Sequence, residues 1–286
     1  MKQVSTICIC GAGTMGSGIT QVAAQHGYKA FQFDVSETML EKSKAGIEKN
    51  LDFLIGKNKL TATQKQEILD RIVFTGNIQD CKVDVVIEAI IENKQAKIDL
   101  FNQLASINDS TTIFATNTSS ISINDIASGV SDASRVAGMH FFNPAPLMKL
   151  VEVVKGNATS QEVMDILVDL SKQMGKTPVV CKDAPGFIVN RVARHYYLEA
   201  MKLVEMGVAD VQTIDAVMEA SGFKMGPFKL MDLIGMDINY GVSNIVWEAL
   251  GKPERLIPSS LQKAKVDAGE LGRKTGKGFY QYTPNL

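Results

Sequence analysis

Val4-Ser-Thr-Ile-Cys-Ile-Cys10-Gly11-Ala12-Gly13-Thr14-Met15-Gly16-Ser-Gly-Ile-Thr-Gln-Val-Ala-Ala-Gln-His26 is the stretch that decides the fold. A short apolar, β-prone run at residues 5–10 enters three glycines spaced G-x-G-x-x-G. An apolar-periodic helix leaves them and continues to about His26, where Gly27 is placed to end it in the left-handed conformation. The next strand-like run, residues 29–34, closes on Asp34, eighteen residues past Gly16. Glycines at this spacing are a weak signal alone, and the bland reading is a turn without a ligand. With a strand before, a helix after and an acid ending the next strand, they form a dinucleotide fingerprint. Gly11 permits the tight turn, Gly13 leaves room for a pyrophosphate, and Gly16 lets helix and sheet approach. The helix start at Thr14 and Met15 offers N–H groups and partial positive charge to phosphates. Asp34 suits the two hydroxyls of an adenosine ribose and repels a 2′-phosphate, which predicts NAD rather than NADP.

Outward from this unit, strand candidates recur at residues 72–75, 83–89, 112–116, 135–142 and 150–154, separated by helical segments. That alternation predicts an α/β domain with a mostly parallel sheet and right-handed crossovers, the last pair forming an antiparallel hairpin at its edge. The interval from Asp34 to Ile72 is too long for a plain crossover. Leu40, Ile47, Leu51, Leu54 and Ile55 have helical spacing, and Thr61-Ala-Thr-Gln64 has the form of a capping box, so a helical hairpin is expected there. Its lysines at 42, 44, 49, 57, 59 and 65 suit a solvated face, while Lys57 near the tip could also hold a phosphate. Beyond Lys182-Asp-Ala-Pro185-Gly186 the pattern is helical nearly to the end, with a Met-rich apolar stripe. The division expected is a sheet domain over residues 1–184 and an all-α domain over 185–286.

The 30 Lys and Arg against 31 Asp and Glu leave a net charge of −1, so no global field recruits nucleic acid or an anionic membrane. The N-terminus lacks a signal-peptide core, and no apolar run approaches the roughly 18 residues of a membrane span, which predicts a soluble cytoplasmic protein. Cys8, Cys10, Cys81 and Cys181 are too scattered for a tetrahedral metal site and are expected as buried reduced thiols, so no metal is predicted.

The second informative stretch is Arg135-Val-Ala-Gly-Met-His140-Phe-Phe-Asn143-Pro144-Ala-Pro146-Leu-Met-Lys149-Leu-Val-Glu152-Val-Val. A hairpin folded symmetrically about Pro146 brings His140 opposite Glu152, since their numbers average to 146. Directly opposed residues in an antiparallel pair have Cβ atoms roughly 5 Å apart. An imidazole facing a carboxylate is either a buried structural ion pair or a general acid/base with its orienter. A nicotinamide site requires a group to take the alcohol's proton as hydride leaves, and that requirement favours the second reading. His26 beside a helix-ending glycine and His195 within a helical run need no such role. Asn117-Thr-Ser119-Ser follows a strand end, as do Glu88-Ala89 and then Glu92 and Lys97, where the ligand crevice of an open parallel sheet lies. Ser119 can donate to a substrate oxygen or cap a helix, and the stretch leaves both readings open.

Asn-Thr-Ser-Ser at 117–120, His140-Phe-Phe-Asn-Pro, Leu-Val-Glu152-Val-Val, Pro185-Gly-Phe-Ile-Val-Asn190-Arg and Lys274-Thr-Gly-Lys-Gly-Phe-Tyr280 together resemble the short-chain L-3-hydroxyacyl-CoA dehydrogenase family. The likeness runs in order through essentially the whole chain, and is strongest to its bacterial 3-hydroxybutyryl-CoA branch. It implies a Rossmann-type domain with a helical hairpin insertion, then a helical domain for substrate binding and dimerisation, in a homodimer or higher homo-oligomer. It also implies reversible NAD-dependent oxidation of a 3-hydroxyacyl-CoA to the 3-oxoacyl-CoA, with coenzyme A as part of the substrate. On this likeness His140 is the acid/base, Glu152 orients it, and Ser119 and Asn190 contact the substrate. Gly11, Ala12, Gly13, Thr14, Met15, Gly16, Asp34, Glu92, Lys97, Asn117, Ser119, Asn143 and Lys274 line the NAD site. Lys57 and Asn50 lie along the coenzyme A arm, Asn50 standing where family members can carry serine. Two other readings share the layout: a dehydrogenase of a free 3-hydroxy acid or sugar acid, and a non-catalytic, crystallin-like NAD-binding relative. Retention of His140, Glu152, Ser119 and Asn190 together argues against a pure scaffold.

Overall fold

Ile7, Cys8, Ile9 and Cys10 are all sealed from solvent. Burial on both faces of one strand is what a central strand of a helix-covered parallel sheet requires. The computed structural model describes residues 4–282; residues 1–3, part of the N-terminal stretch read above for a leader, and residues 283–286 lie outside it. The chain divides into two compact units, one ending at Asp183 and the other beginning at Ala184.

In the first unit the strands are β1 (Thr6–Cys10), β2 (Lys29–Phe33), β3 (Ile72–Thr75), β4 (Val85–Glu88), β5 (Ile113–Thr116), β6 (Val136–Phe141), β7 (Leu150–Lys155) and β8 (Thr177–Lys182). They form one sheet in the order β3-β2-β1-β4-β5-β6-β7-β8. All neighbours are parallel except β6 and β7. The order reverses beside β1, so the carboxyl ends of β1 and β4 flank the topological switch point where such sheets bind ligands. The helices are α1 (Thr14–Gln25), α2 (Glu37–Gly56), α3 (Ala62–Asp70), α4 (Lys94–Ile107), α5 (Ile123–Ala127) and α6 (Gln161–Gln173). Thr61 and Gln64 form the capping box that opens α3, and Gly27 takes φ +92° after α1. Helices α2 and α3 make the helical hairpin between β2 and β3.

One strand departs from the sequence reading. Residues 177–182 form β8, parallel to β7 after the crossover α6, so the β6–β7 hairpin is internal and the edge belongs to β8. Its sequence, Thr-Pro-Val-Val-Cys-Lys, hides the strand because it contains proline. An edge strand tolerates that residue, since the missing N–H points away from any neighbour. Cys8, Cys10 and Cys81 are buried, whereas Cys181, on this edge, is partly open. No helix among the described residues is long and apolar enough to cross a membrane, and none of their His, Cys, Asp and Glu side chains cluster as a metal site would require.

The second unit is helical: α7 (Val189–Glu205), α8 (Val211–Ala220), α9 (Pro227–Ile234), α10 (Met236–Ala249) and α11 (Ser260–Asp267). Its core joins Tyr197, Met201, Phe228, Met231, Met236 and Val246, while Met206 is exposed. The methionine stripe is thus mainly core packing, with its flexible thioethers filling space between helices. Buried Asp215 and Asp232 accept backbone N–H groups at the start of α9 and at residues 279–280, and so tie the last described turn to the helices.

Candidate active site

The glycine loop is shaped by contacts that no side chain could survive. A Cβ on Gly16 would sit 1.9 Å from the Gly11 carbonyl oxygen, and one on Gly11, at φ +107°, would sit 2.5 Å from the Ala89 oxygen. A Cβ on Gly13 would meet no atom within 4 Å. Gly13 therefore faces open space at the start of α1, and as N-cap it has no side chain to occupy the first-turn N–H groups. Asp34 stands beside this opening, its two carboxylate oxygens accepting from the backbone N–H groups of Ala12 at 2.7 Å and Ser36 at 2.9 Å. An open glycine turn with helix N–H groups and an oriented carboxylate fits a dinucleotide's pyrophosphate and ribose. Ala12, Thr14 and Met15 belong to the same turn.

Next to it the ends of β4 and β5 are joined by a buried charge network. Lys97 and Glu88 have side chains 1% and 0% exposed, and Lys97 Nζ lies 2.6 Å from Glu88 Oε1 and 3.2 Å from Glu92 Oε2. Glu88 also accepts from Ile90 N–H and from the Thr116 hydroxyl, each at 2.7 Å. Glu92 accepts from the Thr118 hydroxyl, from Ser119 N–H at 3.2 Å and from the Ser120 hydroxyl at 3.0 Å. Desolvation pushes the Glu92 carboxyl up, but Lys97 and the Thr118 and Ser120 hydroxyls outweigh it and hold the group below the usual carboxylate range. Asn117 receives Phe141 N–H on its side-chain oxygen at 2.8 Å and donates its own N–H to the Glu88 carbonyl at 2.7 Å. Ser119 does not cap a helix; Ser122 caps α5. The loop 117–120 is thereby stitched to β4 and β6.

The register of β6 on β7 pairs His140 with Glu152. His140 Nδ1 lies 2.7 Å from Glu152 Oε2, both side chains are nearly enclosed, and the His140 ring packs against Phe142 at 4.5 Å between centroids. A carboxylate accepting from Nδ1 selects the tautomer with its lone pair on Nε2. Such a pair can hold and pass a proton at one defined atom. Asn143 follows, exposed at the head of the turn before β7.

The remaining expected residues lie apart from this group in sequence and element. Asn50 is on α2, with its amide 3.3 Å from Gln21 Oε1, and Lys57 caps α2, with its ammonium 5.6 Å from the centre of the Phe53 ring. Asn190 is in the first turn of α7, and Lys274 pairs with Asp237 at 2.6 Å within the second unit. The sequence reading missed the roles of Glu88, Thr116 and Thr118 as anchors. The available signal was an acid closing an otherwise apolar strand, Val-Val-Ile-Glu88.

Both parts of the chain match a known family. Residues 6–184 match the model described as 3-hydroxyacyl-CoA dehydrogenase, NAD binding domain, and residues 186–282 match its C-terminal domain. A 3-hydroxyadipyl-CoA dehydrogenase of Escherichia coli K12 is 45% identical over 99% of this chain, which spans only 60% of that protein's length. A probable 3-hydroxybutyryl-CoA dehydrogenase of Deinococcus radiodurans is 43% identical over 96% of this chain and 99% of its own. The crystal structure of (S)-3-hydroxybutyryl-CoA dehydrogenase from Ralstonia eutropha superposes with a TM-score of 0.94 at 40% identity, covering 98% of this chain and all of that one.

Proposed function

Because this chain belongs to the 3-hydroxyacyl-CoA dehydrogenase family, we propose that it reversibly oxidises an (S)-3-hydroxyacyl-CoA to the 3-oxoacyl-CoA, with 3-hydroxybutyryl-CoA and acetoacetyl-CoA as the pair. The observation that carries the reading is the enclosed His140–Glu152 pair in the same sheet as the glycine turn and Asp34. Bound NAD would supply the hydride acceptor for carbon 3, and NADH the donor for the reverse reaction. Gly11, Ala12, Gly13, Thr14, Met15 and Gly16 hold its pyrophosphate, and Asp34 holds the adenosine ribose. Glu92, Lys97, Asn117, Asn143 and Lys274 complete that site, directly or by shaping it. Neutral His140 removes the hydroxyl proton through Nε2 during oxidation and protonates the developing alkoxide during reduction. Glu152 keeps the ring in register and offsets the charge that develops on it. Ser119 and Asn190 orient the substrate oxygens, while Lys57 and Asn50 lie along the coenzyme A arm.

The decisive test is loss of NADH absorbance with acetoacetyl-CoA, compared with free acetoacetate. Turnover of the thioester alone is expected. Equal turnover of the free acid would move the assignment to a 3-hydroxy acid dehydrogenase, and no turnover despite NADH binding would leave a non-catalytic relative. We also propose a cytoplasmic homodimer or higher homo-oligomer, assembled through exposed apolar side chains of the helical unit such as Val192, Val217 and Ile238. Light scattering at a single protomer mass would refute the assembly.

A further inference from the structure

Lys176, between α6 and β8, is 8% exposed. A buried ammonium is costly unless well paired. Lys176 directs its ammonium at two main-chain carbonyls, Ala145 at 2.5 Å and Met148 at 3.0 Å. Burial, with Lys149 adding to it, draws the group below the usual lysine range. Both carbonyls belong to one turn, which Leu147 and Met148 close by donating their N–H groups to the Pro144 carbonyl, each at 3.0 Å. The turn joins the strand of His140 to the strand of Glu152, and Asn143 stands at its head.

The other side of the turn rests on α1. A Cβ placed on Gly18 would lie 3.1 Å from Ala145 Cβ and 3.1 Å from Pro146 Cδ, so helix and turn touch where a methyl group would crowd them. Gly18 is one turn into the helix whose start carries the glycine loop. Ala145 is 2% exposed between these two supports.

We propose that Lys176 is a positioning residue for the reaction: its ammonium draws in the Ala145 and Met148 carbonyls, seats the turn on Gly18 of α1, and so sets Asn143 against the nucleotide-binding helix. The inference rests on the reading of Asn143 as part of the NAD site. Lys176 itself touches neither cofactor nor substrate. Lys176→Met keeps the length of the stem and removes the charge and its donors, which lets the turn drift from α1.

The test is NADH affinity by fluorescence titration, with KM and kcat for acetoacetyl-CoA reduction and a thermal melt, for wild type, Lys176→Met and Gly18→Ala. Lys176→Met is expected to weaken NADH binding about tenfold and to raise the KM for NADH in step. The KM for acetoacetyl-CoA should move by less than about threefold. Gly18→Ala should act in the same direction more mildly, and the double variant should be non-additive because both changes act through one turn. A purely structural lysine would lower the melting temperature and leave NADH affinity unmoved; that result, with wild type active, overturns this inference alone. If Lys176→Met does not fold, unchanged NADH affinity in Gly18→Ala overturns it. A wild type that neither binds nor oxidises NADH overturns the proposed function and this inference with it.

Discussion

Lys97 places its ammonium 2.6 Å from a Glu88 carboxylate oxygen, with both side chains closed to solvent, and reaches Glu92 at 3.2 Å. The lysine acts as an internal cation that holds Glu88, at the end of β4, and Glu92, in the segment that follows it. Through Glu92 the hold extends to Ser119 N–H and the loop that carries it.

Removing one partner of that buried pair strands the other. Lys97→Met should destabilise the first unit by about 3–5 kcal/mol in urea unfolding, and adding Glu88→Gln should restore part of the loss. A cost below about 1 kcal/mol, typical of exposed ion pairs, would show that the network is not sealed in solution.

Glu92 also makes the loop anchor sensitive to acid. Its folded-state pKa lies below its unfolded value. Its contribution to stability is therefore present above the ordinary glutamate value of about 4.3 and is lost as pH falls through the depressed folded value. The stability difference between wild type and Glu92→Gln should be level from about pH 7 to 5, and shrink only below about pH 4.3. A difference that grows on acidification contradicts the assignment.

The acid/base pair predicts a non-additive pattern. His140→Asn should lower kcat by about 10²–10⁴-fold with circular dichroism unchanged. Glu152→Gln should lower kcat while leaving NADH affinity intact, and the double variant should be little worse than His140→Asn. Full turnover by a folded His140→Asn protein would remove His140 from the chemistry.

Asp34 predicts cofactor choice. With the carboxylate shortened to a hydroxyl in Asp34→Ser, the ratio of kcat/KM for NADH over NADPH should fall at least about tenfold, roughly 1.4 kcal/mol. An unchanged ratio would mean that another residue excludes the 2′-phosphate.

Much of this was legible in the chain itself, because local rules carry it. The glycine spacing, the acid closing the second strand and the period switch from strand to helix are short-range patterns, and the symmetric run about Pro146 predicts the His140–Glu152 register that β6 and β7 adopt. Tertiary structure decided whatever depends on distant segments meeting. β8 is a strand only because β7 offers an edge where Pro178 does no harm. Glu88, Lys97 and Thr116 form one network only because parallel β4 and β5 end side by side. Lys176 reaches the turn after Asn143 only because α6 returns the chain to β7. Burial and the partners of a buried charge come from packing between segments far apart in sequence, and no local pattern encodes which of them will be neighbours.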